Sequence, residues 1–332
     1  MRLQEVQRLK DHHRGSIQEL PKAEIKQSGH DLNVLILRES IKRKLARALG
    51  PYYLQHQKAR IKKVKLKTSF SYDMASWGER FSTDSSLAIL LKKLFVNPSH
   101  RILINGCNTG HGEDVQFWLQ QGFRRVDGVD LYSFEKEWPI VSHALGRHYK
   151  ATLAFSQAAI EAMPYPNNTF DLLVSNAILE HIHNVEAALQ ETSRVLKPEG
   201  IAWHAFGPLY FSYAGDHCIS SYGFDHGYDH LLLNETDYRK RVSNRSFYDT
   251  QPDPQNNFWA MTDQFSFLRP GEYISLLEKY FKIEHLLIKI SLEGLQFEER
   301  FVDRWNQLKM AGLSEEDLLI SGMLVILRKK RE

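Results

Sequence analysis

Acids and histidines lie side by side in one stretch of this sequence, in an arrangement that suits acid–base chemistry. Asp216 and His217 are adjacent, and a second group of acids and imidazoles follows at residues 225–230. An imidazole held by a carboxylate can take a proton from a hydroxyl near neutral pH. We predict that His217, oriented by Asp216 or a neighbouring acid, is a catalytic base. His181 and His204 are secondary candidates, and a purely structural hydrogen bond is the alternative for each histidine.

The same histidines raise the question of a metal. His217, His226 and His230 could in principle share one ion. Their spacing matches no standard zinc pattern, and the chain has only two cysteines. We predict no metal site.

A second set of residues suits an adenosine-bearing cofactor. The apolar run 102–104 is short enough for one buried strand, and a loop containing Gly106 and Gly110 follows it. A helical segment then leads to a second apolar run that ends at Asp130. This order is a βαβ unit: a strand, a Gly-rich loop, a helix and a second strand that ends in an acid. NAD enzymes share it. No Lys-Ser/Thr pair follows the glycines, which argues against a nucleoside triphosphate site.

Strands that alternate with helices must position these residues. The predicted strands are residues 102–104, a run ending at 130, 153–155, 170–175, 201–206, 282–290 and 320–327. This order predicts an α/β, Rossmann-like, seven-stranded, mostly parallel sheet with helices on both faces. The last two strands follow one another as a hairpin-like pair, so we expect an antiparallel strand at the sheet edge.

Two segments fall outside this regular pattern. Residues 207–269, after the fifth strand, are rich in aromatic residues with little periodicity, and we predict a substrate lid there. Residues 1–70 carry many more Lys and Arg than Asp and Glu, and we predict a basic, partly helical extension. A contact surface for nucleic acid, anionic lipid or an acidic partner is the alternative. Residues 71–332 would form the main domain.

The bulk composition is that of an ordinary globular protein. Of the 332 residues 42% are hydrophobic and 25% are charged, and the formal net charge is +3. Two cysteines exclude a disulfide framework, the longest apolar runs are too short to span a bilayer, and no secretory leader is evident. We expect a cytoplasmic protein without a transmembrane segment. Nothing in the sequence indicates an oligomeric state.

Several short motifs, in the right order, match one family. The chain resembles class I S-adenosylmethionine-dependent methyltransferases with the LPF…FD…EH…RVLKPGG pattern. The matching residues are 106–110, 128–130, 163–166, 170–171, 179–181 and 194–200. The resemblance implies S-adenosylmethionine as cofactor, and the RVLKPEG match makes the methyltransferase a better fit than the NAD enzyme.

The resemblance also implies which residues bind that cofactor. It places the amino-acid end of the cofactor at the Gly-rich loop, the ribose at Asp130, and the adenine beside residues 159–161. Ser175 and Asn176 would lie at the mouth below the methyl group. The cofactor-binding residues implied are Asn105, Gly106, Cys107, Asn108, Gly110, Asp130, Leu131, Ala159, Ile160, Ser175 and Asn176. For Cys107, packing as a small apolar residue is preferred to a reactive thiol.

Three positions depart from the family pattern. Ile104 and Ala159 replace acids, and Asn108 replaces the second loop glycine. We expect an enzyme that methylates a small molecule or a glycan- or lipid-linked precursor, at oxygen because of the His- and Asp-rich lid. The alternatives are a nucleic-acid-directed methyltransferase that uses the basic extension, and a non-catalytic protein that binds the cofactor or a partner.

Overall fold

The computed structural model describes most of the chain after residue 96. The described residues are 70–75, 97–107, 113–217, 223–242 and 265–331, and singly 64, 66, 68 and 94. The extension predicted for residues 1–70 lies almost wholly outside them. The predicted lid is described except at 218–222 and 243–264.

One mixed sheet holds the described elements together. Its strands are β1 (Asp73–Ala75), β2 (Arg101–Asn105), β3 (Arg125–Asp130), β4 (Thr152–Gln157), β5 (Phe170–Asn176), β6 (Leu196–Phe206), β7 (Phe281–Ile290) and β8 (Ile320–Lys329). They lie in the order β1-β7-β8-β6-β5-β2-β3-β4. The seven predicted strands and their mostly parallel arrangement are confirmed, and β1 adds a short parallel strand beside β7.

The position of the antiparallel strand corrects the sequence prediction. We expected it at an edge, which is wrong: β8 lies inside the sheet and pairs antiparallel with both β6 and β7. Residues 320–327 are all buried. A strand covered on both faces has no need of polar alternation, and this explains its nearly continuous apolar sequence.

Helices cover both faces of the sheet, as predicted. They are α1 (Glu113–Gln120), α2 (Glu137–Tyr149), α3 (Val185–Val195), α4 (Asp229–Leu232), α5 (Glu235–Val242), α6 (Pro270–Tyr280), α7 (Leu292–Arg300), α8 (Val302–Met310) and α9 (Glu315–Leu319). Trp118 of α1 and Val141 of α2 pack on one face. Leu189 of α3 and Leu277 of α6 pack on the other face, where Leu103 of β2 also lies. Strand residues therefore alternate between two apolar layers.

The segment after β6 builds a third apolar cluster beyond the carboxyl edge of the sheet. Aromatic rings form most of it, among them Tyr210, Tyr213 and Tyr228, and Phe297 of α7 packs against them. The Tyr228 hydroxyl donates to the carbonyl oxygen of Leu318 at 2.7 Å. The described part of the segment is therefore packed against α7–α9.

Candidate active site at the carboxyl edge of the sheet

The loop after β2 begins with a glycine that its surroundings require. Gly106 has φ +69°, and a Cβ there would lie 2.0 Å from Cδ1 of Ile178. The backbone N–H groups of Gly106 and Cys107 both donate to the carbonyl oxygen of Val129, at 2.8 and 3.2 Å. Cys107 is buried. Asn108 and Gly110, two predicted cofactor contacts, lie outside the described residues.

Asn105 ends β2 with an unusual buried amide. Its side chain is 3% exposed, and its amide nitrogen has no hydrogen-bond partner in the described part of the chain. Buried polar atoms normally have partners, so an atom without one points to a water or a ligand group. Asn105 thus fits a site for the polar end of a cofactor.

Asp130 ends β3, next to an exposed leucine. The Asp130 side chain is buried, and its Oδ1 accepts from the backbone N–H of Tyr132 at 3.0 Å. Leu131 is 41% exposed, and its carbonyl oxygen accepts from the side chain of Gln157 at 3.0 Å. A carboxylate beside an exposed apolar side chain suits a ribose with an attached aromatic base.

The loop after β4 approaches Asp130 through its backbone. The N–H of Ala158 donates to the carbonyl oxygen of Asp130 at 2.9 Å. Ala159 is half-buried and Ile160 is buried. Partial burial raises the pKa of Glu161, the nearest acid in sequence to the position where Ala159 departs from the family pattern. The structure thus brings the predicted adenine-side residues close to Asp130.

Ser175 and His204 form a buried pair on adjacent strands. Ser175 of β5 is paired in register with His204 of β6, and Oγ lies 2.6 Å from Nδ1. Burial lowers the pKa of His204 to about 3. His204 is therefore neutral near pH 7 and too weak a base to take a proton from an alcohol. Asn176, the next residue of β5, is exposed at the strand end.

A short 3₁₀ turn, Leu179–His181, follows β5 and carries a buried acid. Glu180 is 1% exposed, and its Oε1 accepts from the backbone N–H of Gly207 at 2.9 Å. Burial raises the pKa of Glu180 to about 8. Lys289, near the end of β7, is also buried, and desolvation lowers its pKa to about 7 although Glu293 and Glu180 oppose the shift. Strongly shifted acids and bases in one cluster are typical of functional sites.

His217 lies beside this turn. Its ring meets the ring of His181 edge-on at a centroid distance of 4.9 Å, and the ring of Phe265 at 5.3 Å. Its Nε2 faces the carbonyl oxygen of Pro208 at 3.4 Å. Burial lowers the pKa of His217, against the raising effects of the Pro208 carbonyl and Asp216.

The other acids and histidines of the segment contact one another or nearby groups, and His230 Nδ1 lies 4.0 Å from Asp216 Oδ2. The Asp216 carboxylate accepts from the Tyr238 hydroxyl at 2.7 Å, and His230 Nε2 lies 2.7 Å from the carbonyl oxygen of Tyr210. His226 pairs with Asp229 at 2.9 Å. Among the residues that the structure describes, no group of three or more His, Cys, Asp or Glu side chains could hold a metal ion.

The sequence prediction missed two members of this cluster. Glu180 entered only as a motif match, and Lys289 did not enter at all. An alternating strand normally exposes its lysines, as β7 does at Lys282, which is exposed and pairs with Glu284. The available signal was the position of Lys289 at the end of a strand, on the edge where Ser175 and Asp130 also lie.

Comparison with known proteins shows similarity in the central part of the chain. A family model described as a methyltransferase domain matches residues 105–203. The phosphoethanolamine N-methyltransferase of Triticum aestivum is 28% identical over 182 residues, which are 52% of this chain and 31% of that protein. The malonyl-[acyl-carrier protein] O-methyltransferase of Enterobacter lignolyticus is 29% identical over 123 residues, which are 37% of this chain and 43% of that protein. The chain thus spans less than half the length of each relative.

Solved structures resemble this chain at low sequence identity. The YcgJ protein of Bacillus subtilis is 16% identical, with a TM-score of 0.42 over 75% of this chain and 99% of that one. In the described part of the chain, no helix is long and apolar enough to cross a membrane.

Proposed function

We propose that the chain is a class I S-adenosylmethionine-dependent methyltransferase and that it methylates a hydroxyl of a small molecule; the methyltransferase-domain match at residues 105–203 and the order of the strands support this. The acceptor would be a free metabolite or a glycan- or lipid-linked precursor, bound between the sheet edge and residues 207–269. The observation that carries this proposal is the half-buried, neutral His217 beside the turn that follows β5.

The residues at the sheet edge fit the cofactor of this class. S-adenosylmethionine supplies an activated methyl group on a sulfonium. The unpartnered amide of Asn105 and the constrained glycine at 106 suit its charged amino-acid end. Asp130 suits the ribose hydroxyls, and Leu131 and Ile160 suit the adenine. The fit supports the cofactor-binding residues predicted from the sequence, within the described residues.

The geometry around His217 suits the removal of a proton. With Nε2–H donating to the Pro208 carbonyl, Nδ1 is the nitrogen left to accept a proton. Because burial lowers its pKa, the imidazole is neutral at pH 7 and ready to act as a base. Nδ1 would take the proton that the acceptor hydroxyl gives up, and S-adenosylmethionine, when bound, would supply the methyl group. The rest of the rate enhancement would come from alignment of the two reactants.

The choice of oxygen as acceptor atom rests on the base and not on the relatives. One relative is named as an N-methyltransferase and another as an O-methyltransferase, so similarity to them favours neither nitrogen nor oxygen as the acceptor atom. His217 favours oxygen, because an alcohol must lose a proton during transfer whereas a neutral amine attacks with its free lone pair.

A panel of paired acceptors tests the proposal. Each pair differs only in a hydroxyl or a primary amine, and release of S-adenosylhomocysteine from S-adenosylmethionine is the readout. We expect turnover on hydroxyl acceptors, and His217→Gln should lower it by about 10²- to 10⁴-fold, the usual contribution of a general base. His143→Gln, at an exposed histidine of α2, is the matched control. Unchanged turnover in His217→Gln would reject His217 as the base. Turnover on amines alone would show that nitrogen, and not oxygen, is the acceptor atom.

A further inference from the structure

The turn Leu179–His181 contacts the segment that follows β6 both at its start and near its end. The Glu180 side chain accepts from the N–H of Gly207, the first residue of the segment, at 2.9 Å. The Glu180 carbonyl oxygen accepts from the N–H of Ser266, close to the end of the segment, at 2.9 Å. One residue therefore ties together two stretches of chain that are far apart in sequence.

The same turn reaches His217 by two routes. Gly207 is followed directly by Pro208, whose carbonyl oxygen faces His217 Nε2. His181, the neighbour of Glu180, places its ring edge-on against the ring of His217, and Phe265 completes a group of three rings. A shift of Glu180 would thus move the carbonyl that orients His217 and also a ring that packs on it.

We propose that Glu180 is a positioning residue for methyl transfer, which fixes the His217 imidazole through Gly207–Pro208 on one side and His181 on the other. This inference rests on the proposed role of His217 as the base. Glu180 touches neither reactant in this mechanism. Its effect is on the orientation of the imidazole, and an error of about 1 Å in such a group can cost about 10²-fold in rate.

The surroundings of Glu180 indicate that it works as a neutral acid. Its Oε2 is buried and has no hydrogen-bond partner among the residues described. An unpartnered buried carboxylate oxygen is costly, and protonation reduces the cost. Lys289 from β7 and Tyr273 from α6 are the titratable groups that face it. Asp216, His230 and Lys289 face His217 in turn.

Two variants separate the hydrogen bond from the charge. Glu180→Gln keeps a carbonyl oxygen for the Gly207 N–H and mimics the protonated acid, whereas Glu180→Ala removes the contact. Protein labelled with ¹³C at the histidine Cε1 atoms reports on each imidazole, and the signal lost in His217→Gln identifies His217. We expect Glu180→Gln to leave the His217 signal and its titration in place, and Glu180→Ala to shift both.

Turnover on the best acceptor of the panel gives a second readout. Glu180→Ala should lower kcat by about 10- to 100-fold while the affinity for S-adenosylhomocysteine stays unchanged, and Glu180→Gln should restore kcat. A merely structural role would lower cofactor affinity and kcat together. Asp317→Asn, an acid-to-amide change at a buried residue that caps α9, is the control and should change neither the His217 signal nor kcat.

The His217 signal and the turnover of His217→Gln test the role of Glu180 and the role of His217 separately. An unmoved His217 signal in Glu180→Ala would overturn the positioning role, whatever the activity. A moved signal together with unchanged turnover in His217→Gln would keep the link between the residues and reject the base. If Glu180→Ala does not fold, Glu180→Asp, whose side chain is one methylene shorter, serves instead: a shifted His217 signal supports the role and an unshifted one rejects it.

Discussion

At the carboxyl end of β3, Asp130 is the single residue on which cofactor affinity should depend most. We expect Asp130→Ala to raise the dissociation constant of S-adenosylhomocysteine by about 10- to 100-fold, because hydrogen bonds to a charged group are worth about 1.5–3 kcal/mol. Titration calorimetry measures the change. Asp171→Asn, at the opposite end of β5 and bonded to Lys197, is the control. Equal affinity of wild type and Asp130→Ala would reject the ribose assignment.

Individual site residues were predictable where the end of an apolar run in the sequence marks the end of a strand. Asp130 and Ser175 each close an apolar run, so their place at the carboxyl edge follows from the sequence. Glu180 and Lys289 were not predictable in this way, because their burial depends on chain that is distant in sequence. Gly207 binds the Glu180 side chain, and His217 is among the groups that interact with Lys289. The pattern of neighbouring residues in the sequence does not predict such contacts.

At the level of elements, one buried carboxylate joins three helices. Asp229, at the start of α4, accepts from Arg241 of α5 at 2.7 Å and from Arg304 of α8, and it also pairs with His226. Its side chain is 4% exposed. The described part of the segment after β6 is thus bound to the helices that precede β8.

The Asp229 cluster makes a prediction about stability. Asp229→Ala should lower the free energy of unfolding by about 3 to 5 kcal/mol, since it leaves two guanidinium groups without their buried partner. Urea denaturation measures the loss. Asp225→Ala, which removes a half-exposed partner of the same His226, should cost about 1 kcal/mol or less. Equal effects of the two substitutions would show that Asp229 does not join these helices.

The helices and strands of the regular part follow from periodicity, but those of the segment after β6 do not. The amphipathic pattern of residues 185–196 and the Pro270 start of residues 270–281 predict helices there, and α3 and α6 agree with them within a residue. Within the segment, order comes from ring packing instead: Tyr228 contacts Phe297 and Trp305, at centroid distances of 4.9 and 5.9 Å. Contacts between rings from separate stretches leave no repeat in the sequence, so aromatic content alone was the available signal.

For the whole molecule, the buried pair of Glu180 and Lys289 should make stability depend on pH. The folded-state pKa of Glu180, about 8, lies above its ordinary value of 4.5. The folded protein therefore holds a proton that the unfolded chain loses, and the stability contributed by Glu180 falls as pH rises from 4.5 through 8. Lys289 acts in the opposite sense between about pH 7 and its ordinary value of 10.5.

Glu180→Gln isolates the acid from the other titrating groups. The variant cannot lose a proton at this position, so its stability relative to wild type should rise between pH 5 and pH 8. Urea midpoints of both proteins at the two pH values give the comparison. A difference that is the same at pH 5 and pH 8 would contradict the raised pKa. Asp317→Asn should show no such rise, because the contacts of Asp317 are with Arg269 and Ser314 and not with Glu180.

The interior position of β8 sets an order in which the molecule can form. β2 pairs with β3 and with β5, and β3 pairs with β4, so these four strands find one another within residues 101–176. β7 reaches β6 only through β8, which pairs Ile201 with Arg328 and Phe281 with Lys329. Contacts between distant residues form slowly. During synthesis, a nascent chain would thus complete the half that contains β2 to β5 first, and the half that contains β6 to β8 only after β8 has emerged.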